Sequence, residues 1–511
     1  MQKKTVAIND ICRPHGRRGR QALRAGVRLP EINFIDDKTG KQSQRTHRRD
    51  MTIKKGWCPM MRRSTIVVGA LALLGVSLAT PARAAEVASA EPYSGDFFTR
   101  STLTGDWGGV RNDLAAKGVT FDATLTQIEQ GVVSGGKNGT WEYGGRGDLT
   151  GHLDTQKLGL WPGGFLTVEL EGNWSDSVNG KTGALSPTNT NQLFPLPIGD
   201  NVALPALNFA QFLSPYGGVT VGKYATITET AGDMNEFAHG KGTTQFFNTA
   251  FNANPVLFMD APYSTLGAGV IGLPTKDPNQ AIVSFLVLSA EGKASTDGFD
   301  NLSGDKLSFI GEGRVRTDFF TLTGHQLVGA AYSNKEFTSL DQRIEFEPQR
   351  RALGLAQSQT IAKKDGSWAV YYNFDQFLYE TDKAAGHGVG LFGRFGASDG
   401  NPNLMHYFYS AGVGGKGLIP GRPLDRFGIG YYYLNIKNPT LQLPIIGTKS
   451  FLRNEWGFEA FYNVALTPWL LLTPDIQVIA GSQKHRVVNN TLNPEFIDTA
   501  TVLGLRAQLV F

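Results

Sequence analysis

From residue 86 onward this 511-residue chain has no cysteine, because Cys12 and Cys58 are its only two. Beyond that point disulfides and thiol chemistry are excluded. From Glu86 no run of about 18 apolar residues occurs, which excludes a transmembrane helix; a membrane protein built from this stretch has to be a β-barrel. Charged residues make up only 18% of the chain, and segments of helical period are scarce. Catalytic signatures are missing too: there is no GxSxG, no HExxH and no phosphate-binding loop. His152, His239, His325, His387, His406 and His485 are scattered without metal-ligand spacing, so neither a metal nor a cofactor is expected. Glu169 and Glu171 fail as a glycosidase pair. Two residues apart on one strand face, they point the same way, whereas glycosidases need carboxylates facing across a bond. The reading is that the chain is not an enzyme.

What is present begins with a basic start at Arg62-Arg63. A fifteen-residue apolar run, Ile66 to Thr80, and an A-x-A pattern ending at Ala84 follow it. Together they predict a cleaved secretory signal peptide over 61–84. Residues 1–60 lie upstream of it, rich in Lys and Arg and without periodicity. They are expected to be a non-native extension, with Met51, Met60 or Met61 as the true start, rather than a nucleic-acid arm. Eighteen of the 49 basic and five of the 45 acidic residues fall before residue 85. The remainder, 31 basic against 40 acidic, is near −9 and gives no support for nucleic-acid binding. Residues 85–118 read as a periplasmic leader ending in one short helix. Asp106 is its expected N-cap, Gly118 its stop, and Val110 and Leu114 its shared face.

Strands dominate the rest. Thr501, Leu503, Leu505, Ala507, Leu509 and Phe511 alternate with Val502, Gly504, Arg506, Gln508 and Val510, one oily and one wet face ending the chain on an aromatic. Similar alternation runs through Val119–Gln127, Phe165–Trp174, Trp368–Phe374 and Trp456–Leu466, with aromatics near strand ends. The longest loops are expected at Asp176–Asn208 and Asp341–Asp365. Residues 119–511 allow around 16 strands at about 20–25 residues each, enough for a barrel with an aqueous channel. The fold expected is all-β, a transmembrane antiparallel barrel of about 16 strands with a short N-terminal helix. A soluble sandwich carries the same alternation turned inside out, so it stands beside the barrel as the alternative.

Three stretches carry a family likeness. They are Leu103–Arg111 (LTGDWGGVR) with Lys117–Phe121, Leu158–Phe165 (LGLWPGGF), and the block from Gly421–Gly430 (GRPLDRFGIG) through Glu459–Asn463 to Leu472–Gln477. Together they resemble the OprB family of carbohydrate-selective porins, from about residue 101 to the end. The resemblance implies a sixteen-stranded outer-membrane barrel of a Gram-negative bacterium, a homotrimer, admitting glucose and related mono- and small oligosaccharides. It also implies that Phe511 is read by the barrel assembly machinery. Residues 176–360 match the family pattern least.

A sugar pore needs side chains that replace the water around hydroxyls yet release the solute. The pore-lining candidates are Glu169, Glu171 and Asn173 on one wet face, Lys223 after an alternating run, Arg314 and Arg316 two apart, and Arg394 and Arg506 amid apolar neighbours. Arg422 and Asp425 read instead as a strand-end ion pair. A general or anion-selective porin, and a secreted soluble β-protein binding polysaccharide, are the alternative functions. No coupled-transporter plug precedes the barrel.

Overall fold

A computed structural model describes residues 92–195, 201–226, 235–301, 304–343, 361–443, 447–449, 452–486 and 495–511. The predicted extension and signal peptide lie outside these residues. Sixteen strands close into one antiparallel barrel. The first eight are β1 (Val119–Ser134), β2 (Thr140–Asp154), β3 (Gly164–Ser175), β4 (Asn201–Ser214), β5 (Gly217–Ala225), β6 (Ser264–Gly272), β7 (Ala281–Ser289) and β8 (Leu307–Thr317). The second eight are β9 (Gly324–Thr338), β10 (Lys363–Asp382), β11 (His387–Ser398), β12 (Met405–Lys416), β13 (Arg426–Ile436), β14 (Glu455–Thr467), β15 (Leu470–Ala480) and β16 (Ala500–Val510).

Closure is made by the first and last strands. β16 pairs with β1 through Gln127↔Ala507, Ile128↔Arg506 and Val132↔Val502, and with β15 through Thr473↔Arg506. No edge is left, which is what a sheet in hydrocarbon requires. The last strand also decides which way the alternation faces. Arg506 and Gln508 are buried inside, while Leu503 and Leu505 are 38% and 46% exposed on the outer wall. Trp368, Val370, Tyr409, Ile429, Tyr431 and Phe458 face outward in the same way. An apolar outside around a polar inside rules out the soluble sandwich, whose faces are reversed.

Connections alternate in length. One end of the barrel carries short turns, such as 215–216 and 383–386, together with the N-terminal helix; the other end carries long loops. The longest connection is β5–β6, residues 226–263, which the sequence reading missed. The two expected long loops are shorter than predicted, because β4 starts at Asn201 and β10 at Lys363.

The helix α1 (Val110–Ala116) also departs from expectation. Gly109 occupies the N-cap, and Asp106 instead accepts from the Gly108 N–H at 3.0 Å. Val110 is exposed, and the buried face carries Arg111 and Asn112. Arg111 donates to Thr102 Oγ1 (3.0 Å) and the Phe121 carbonyl (2.6 Å), so polar anchoring rather than apolar packing seats this short helix. Gly118 ends it at φ +82°, as expected.

Arg422 and Asp425 form the expected ion pair in the β12–β13 turn, at 2.8 and 3.0 Å. Asp425 also accepts from Tyr462 Oη (2.8 Å) and the Ala465 N–H (2.9 Å). Burial pushes this carboxyl up, but those donors outweigh it and hold it below the usual carboxylate range. A group held low in the folded state stabilises fully above its unfolded pKa, near pH 4, and loses that share as the pH falls through the folded value. Asp425→Asn is therefore expected to flatten the acid side of the unfolding curve, followed by heat-dependent mobility on unboiled gels below about pH 4. Leu505→Arg is expected to cost about 2–4 kcal/mol by placing a charge in the lipid-facing band. Urea unfolding in bilayers measures it, and tolerance of the arginine would mean that this wall does not face lipid.

Candidate functional site

The lumen is narrowed by two connections that fold into it. Phe246, Ala250, Phe251 and Val256 of the β5–β6 loop are wholly buried against Phe392, Phe408, Tyr432 and Phe461 of the wall. Glycines on the inner wall make the sockets. A Cβ on Gly430 would lie 2.5 Å from the Phe251 ring, one on Gly428 2.7 Å from Phe246, and one on Gly414 2.6 Å from Phe237. Within this loop a single helical turn, Thr249–Asn252, is capped by Asn248, whose side chain accepts from Ala250 N.

Polar anchors hold the loop backbone. Arg506 donates to the carbonyls of Gly242 (2.7 Å) and Gln245 (2.9 Å), and its guanidinium lies 4.2 Å from the Phe247 ring centre. Glu459 accepts from the N–H groups of Phe247 (2.5 Å) and Asn248 (2.9 Å). Arg394 donates to the carbonyls of Phe251 (2.7 Å) and Ala238. The β3–β4 connection is held likewise, with Glu455 accepting from Leu185 N (2.6 Å) and Ser186 N (3.0 Å) and Gln477 donating to the Thr188 carbonyl (3.1 Å). Loop backbone that no strand can pair is thus satisfied by wall side chains.

Opposite this packing sits a charged cluster. Arg146 of β2 pairs with Asp148 and Glu171, both at 2.5 Å. Lys241 of the β5–β6 loop reaches across to Glu169 and Glu171 of β3. Tyr263 donates to Glu171 Oε2 at 2.5 Å and stacks on Phe194 at 4.0 Å. Burial alone would lower the Lys241 ammonium, but Glu169 and Glu171 outweigh it and hold it above its ordinary value, so it is charged. The carboxylate oxygens of Asp148, Glu169 and Glu171 lie within 4.8 Å of one another, yet Arg146 and Lys241 already neutralise them, which makes a poor metal centre. Arg146 and Glu171 are fully enclosed, whereas Lys241 and Glu169 keep 10% and 11% of their side-chain surface open.

Beyond the loop, toward the short-turn end, lies a chamber of about 540 Å³. Glu236, Phe237, His239 and Gln245 line it from the loop, and Arg314, His325, Lys416 and Arg426 from the wall.

A family model described as "Carbohydrate-selective porin, OprB family" matches residues 139–511. The chain belongs to the OprB family. Porin B of Pseudomonas aeruginosa is 25% identical to it over 203 residues, which is 37% of this chain and 42% of that protein, less than half the relative's length. The high-pH structure of Pseudomonas putida OprB superposes with a TM-score of 0.65 at 20% identity, covering 82% of this chain and all of that one, a likeness of fold. The low-pH structure of the same protein gives 0.47 at 17% identity over 81% and 99% of the two chains. An outer-membrane β-barrel is therefore the architecture in which the site sits.

Within this OprB-family barrel the predicted residues separate. Glu169 and Glu171 come together in the charged cluster, and Asn173, one step along, donates to the Phe194 carbonyl at 3.3 Å. Arg394 and Arg506 face inward as expected but serve as loop anchors. Arg314 and Arg316 line the chamber, Arg316 paired with Asp318 at 3.1 Å. Lys223 is a correction. It shares a face with Val219 and Val221, which are exposed on the outer wall, and pairs with Leu207 and Leu266 there. Its ammonium is capped by the carbonyls of Ala294 and Thr296, so it does not line the pore. Sequence reasoning missed Arg146, Asp148, Lys241, Tyr263 and Glu459. Arg146 and Asp148 alternate in a glycine-rich strand and could have been found by period; Lys241 lies in a loop with no period.

Arg506→Met would leave the Gly242 and Gln245 carbonyls without their buried donor, at about 1–3 kcal/mol each. Single-channel recording should then show a larger and noisier open current. A conductance equal to wild type would mean the loop is held without this arginine.

Proposed function

We propose that the protein is a passive pore for glucose, related monosaccharides and small oligosaccharides in the outer membrane of a Gram-negative bacterium. The observation that carries this reading is the Glu169–Lys241 pair, partly open on a loop-narrowed lumen. A carboxylate and an ammonium held side by side offer acceptors and donors to a hydroxylated solute. Neither can leave its partner, so binding stays weak enough for release. Of the residues singled out from sequence, Glu169, Glu171 and Asn173 belong to this constriction, and Arg314 and Arg316 to the chamber below it. Nothing in the reading couples transport to energy or calls on catalysis.

In this reading the short turns face the periplasm and the long loops the exterior, as in barrels of this kind. Residues 61–84 export the chain, 85–118 remain periplasmic and 119–511 form the pore. The apolar outer wall meets outer-membrane lipid, Phe511 is the handle for barrel assembly, and three copies form the working assembly.

Planar-bilayer recording of the detergent-purified protein, titrated with glucose, maltose and an inert polyol, tests the proposal. Current should fall saturably with the sugars and not with the polyol. Lys241→Gln and Glu169→Gln should each weaken the sugar effect by about tenfold, the loss of one charge-assisted hydrogen bond. Channels indifferent to every sugar would leave a porin without carbohydrate preference.

A further inference from the structure

The chamber below the β5–β6 loop has an uneven charge. Five cationic side chains line it, Arg314, Arg316, Lys383, Lys416 and Arg426, against three carboxylates, Glu236, Asp277 and Glu380. Arg316 and Lys383 share Asp318, at 3.1 and 3.5 Å. Arg314 differs from them. It is 6% exposed, donates to the Pro278 carbonyl at 3.0 Å, and makes no ion pair among the described residues. A carbonyl orients a guanidinium without cancelling its charge, and Asp375 and Glu236, which attract it, stand outside ion-pair distance, so the remaining donors of Arg314 stay open to an anion at the chamber wall. At the inner end stands His239. Burial, then the neighbouring Arg426, push its imidazole down to about 4 despite Glu236, so at neutral pH it adds a neutral donor and acceptor rather than a further charge. Phe237, Phe377, Phe427 and Phe461 supply apolar faces between these polar groups. The volume, about 540 Å³, is in the range of small-molecule sites.

We infer that this chamber is a binding site for a sugar carrying an acidic group, a carboxylate or a phosphate ester, with the anion at Arg314 and the pyranose ring against the phenylalanines. This rests on the pore reading above and narrows its substrate class. A neutral sugar would leave the open donors of Arg314 without a direct anionic partner. A bare anion would answer it and leave the aromatic faces unused.

The experiment is current block in planar bilayers of the full-length purified protein by glucose, glucuronate, glucose 6-phosphate and inorganic phosphate, each added from either side. Glucuronate or glucose 6-phosphate should block at about tenfold lower concentration than glucose, the gain from one charge-assisted contact. Strong block by glucuronate alone assigns the carboxylate, and by glucose 6-phosphate alone the phosphate ester. Arg314→Gln should erase the preference and Arg314→Lys retain most of it; the wild-type comparison stands even where the glutamine variant fails to insert. Glucose blocking as strongly as both acids overturns the inference. So does inorganic phosphate matching glucose 6-phosphate, because the ring would then contribute nothing. Open channels that no sugar blocks would instead remove the carbohydrate reading on which the inference stands.

Discussion

A sheet in hydrocarbon cannot leave a backbone N–H or C=O unpaired, and this constraint organises the whole molecule. It is why the first strand and the last must meet, with Ile128 opposite Arg506 and Val132 opposite Val502. It is also why side chains sort by face around the ring, apolar outward and polar inward. Once the wall is closed, its inner face carries acids, amides and guanidinia beside the phenylalanine cluster. Those groups then become the means of holding loops.

The loops repeat the same demand on a smaller scale. The β5–β6 connection brings irregular backbone inside the barrel, where water is scarce, and its carbonyls and N–H groups need partners. Arg506, Arg394 and Glu459 supply them. Packing supplies the rest. The chain holds 62 glycines and 31 phenylalanines, and on the inner wall the two work together, with Gly414, Gly428 and Gly430 opening space that Phe237, Phe246 and Phe251 fill. A methyl group at any of these glycines would meet a phenylalanine side chain at 2.7 Å or less, so the narrowing is built into the wall as much as into the loop. Lys241 and Glu169 stay partly exposed, and a basic chamber lies on the short-turn side of the loop.

Much of the wall was legible in the sequence, because period-two alternation is strict in a barrel. Arg506 with Gln508, and Glu169 with Glu171, were assigned to the wet face and lie on it. The Lys223 error came from setting the same rule aside. It shares parity with Val219 and Val221, the oily set, and the structure puts all three on the outer wall. The roles of Arg394 and Arg506 were not legible, since their partners are loop carbonyls more than 140 residues away in the chain. Lys241 carries no periodic signal at all. Its place beside Glu169 is set by the way the whole loop folds, which the phenylalanine sockets and the Arg506, Arg394 and Glu459 anchors fix together.

In the proposed pore the loop-narrowed lumen selects by chemistry rather than by size. Liposome swelling measures this most directly, comparing entry of D-glucose with that of a smaller five-carbon polyol at equal osmolarity. Swelling is expected to be faster with glucose than with the smaller polyol, because the Glu169–Lys241 pair and the aromatic faces favour a pyranose. Rates that fall in simple order of molecular size would contradict it and leave an unselective sieve.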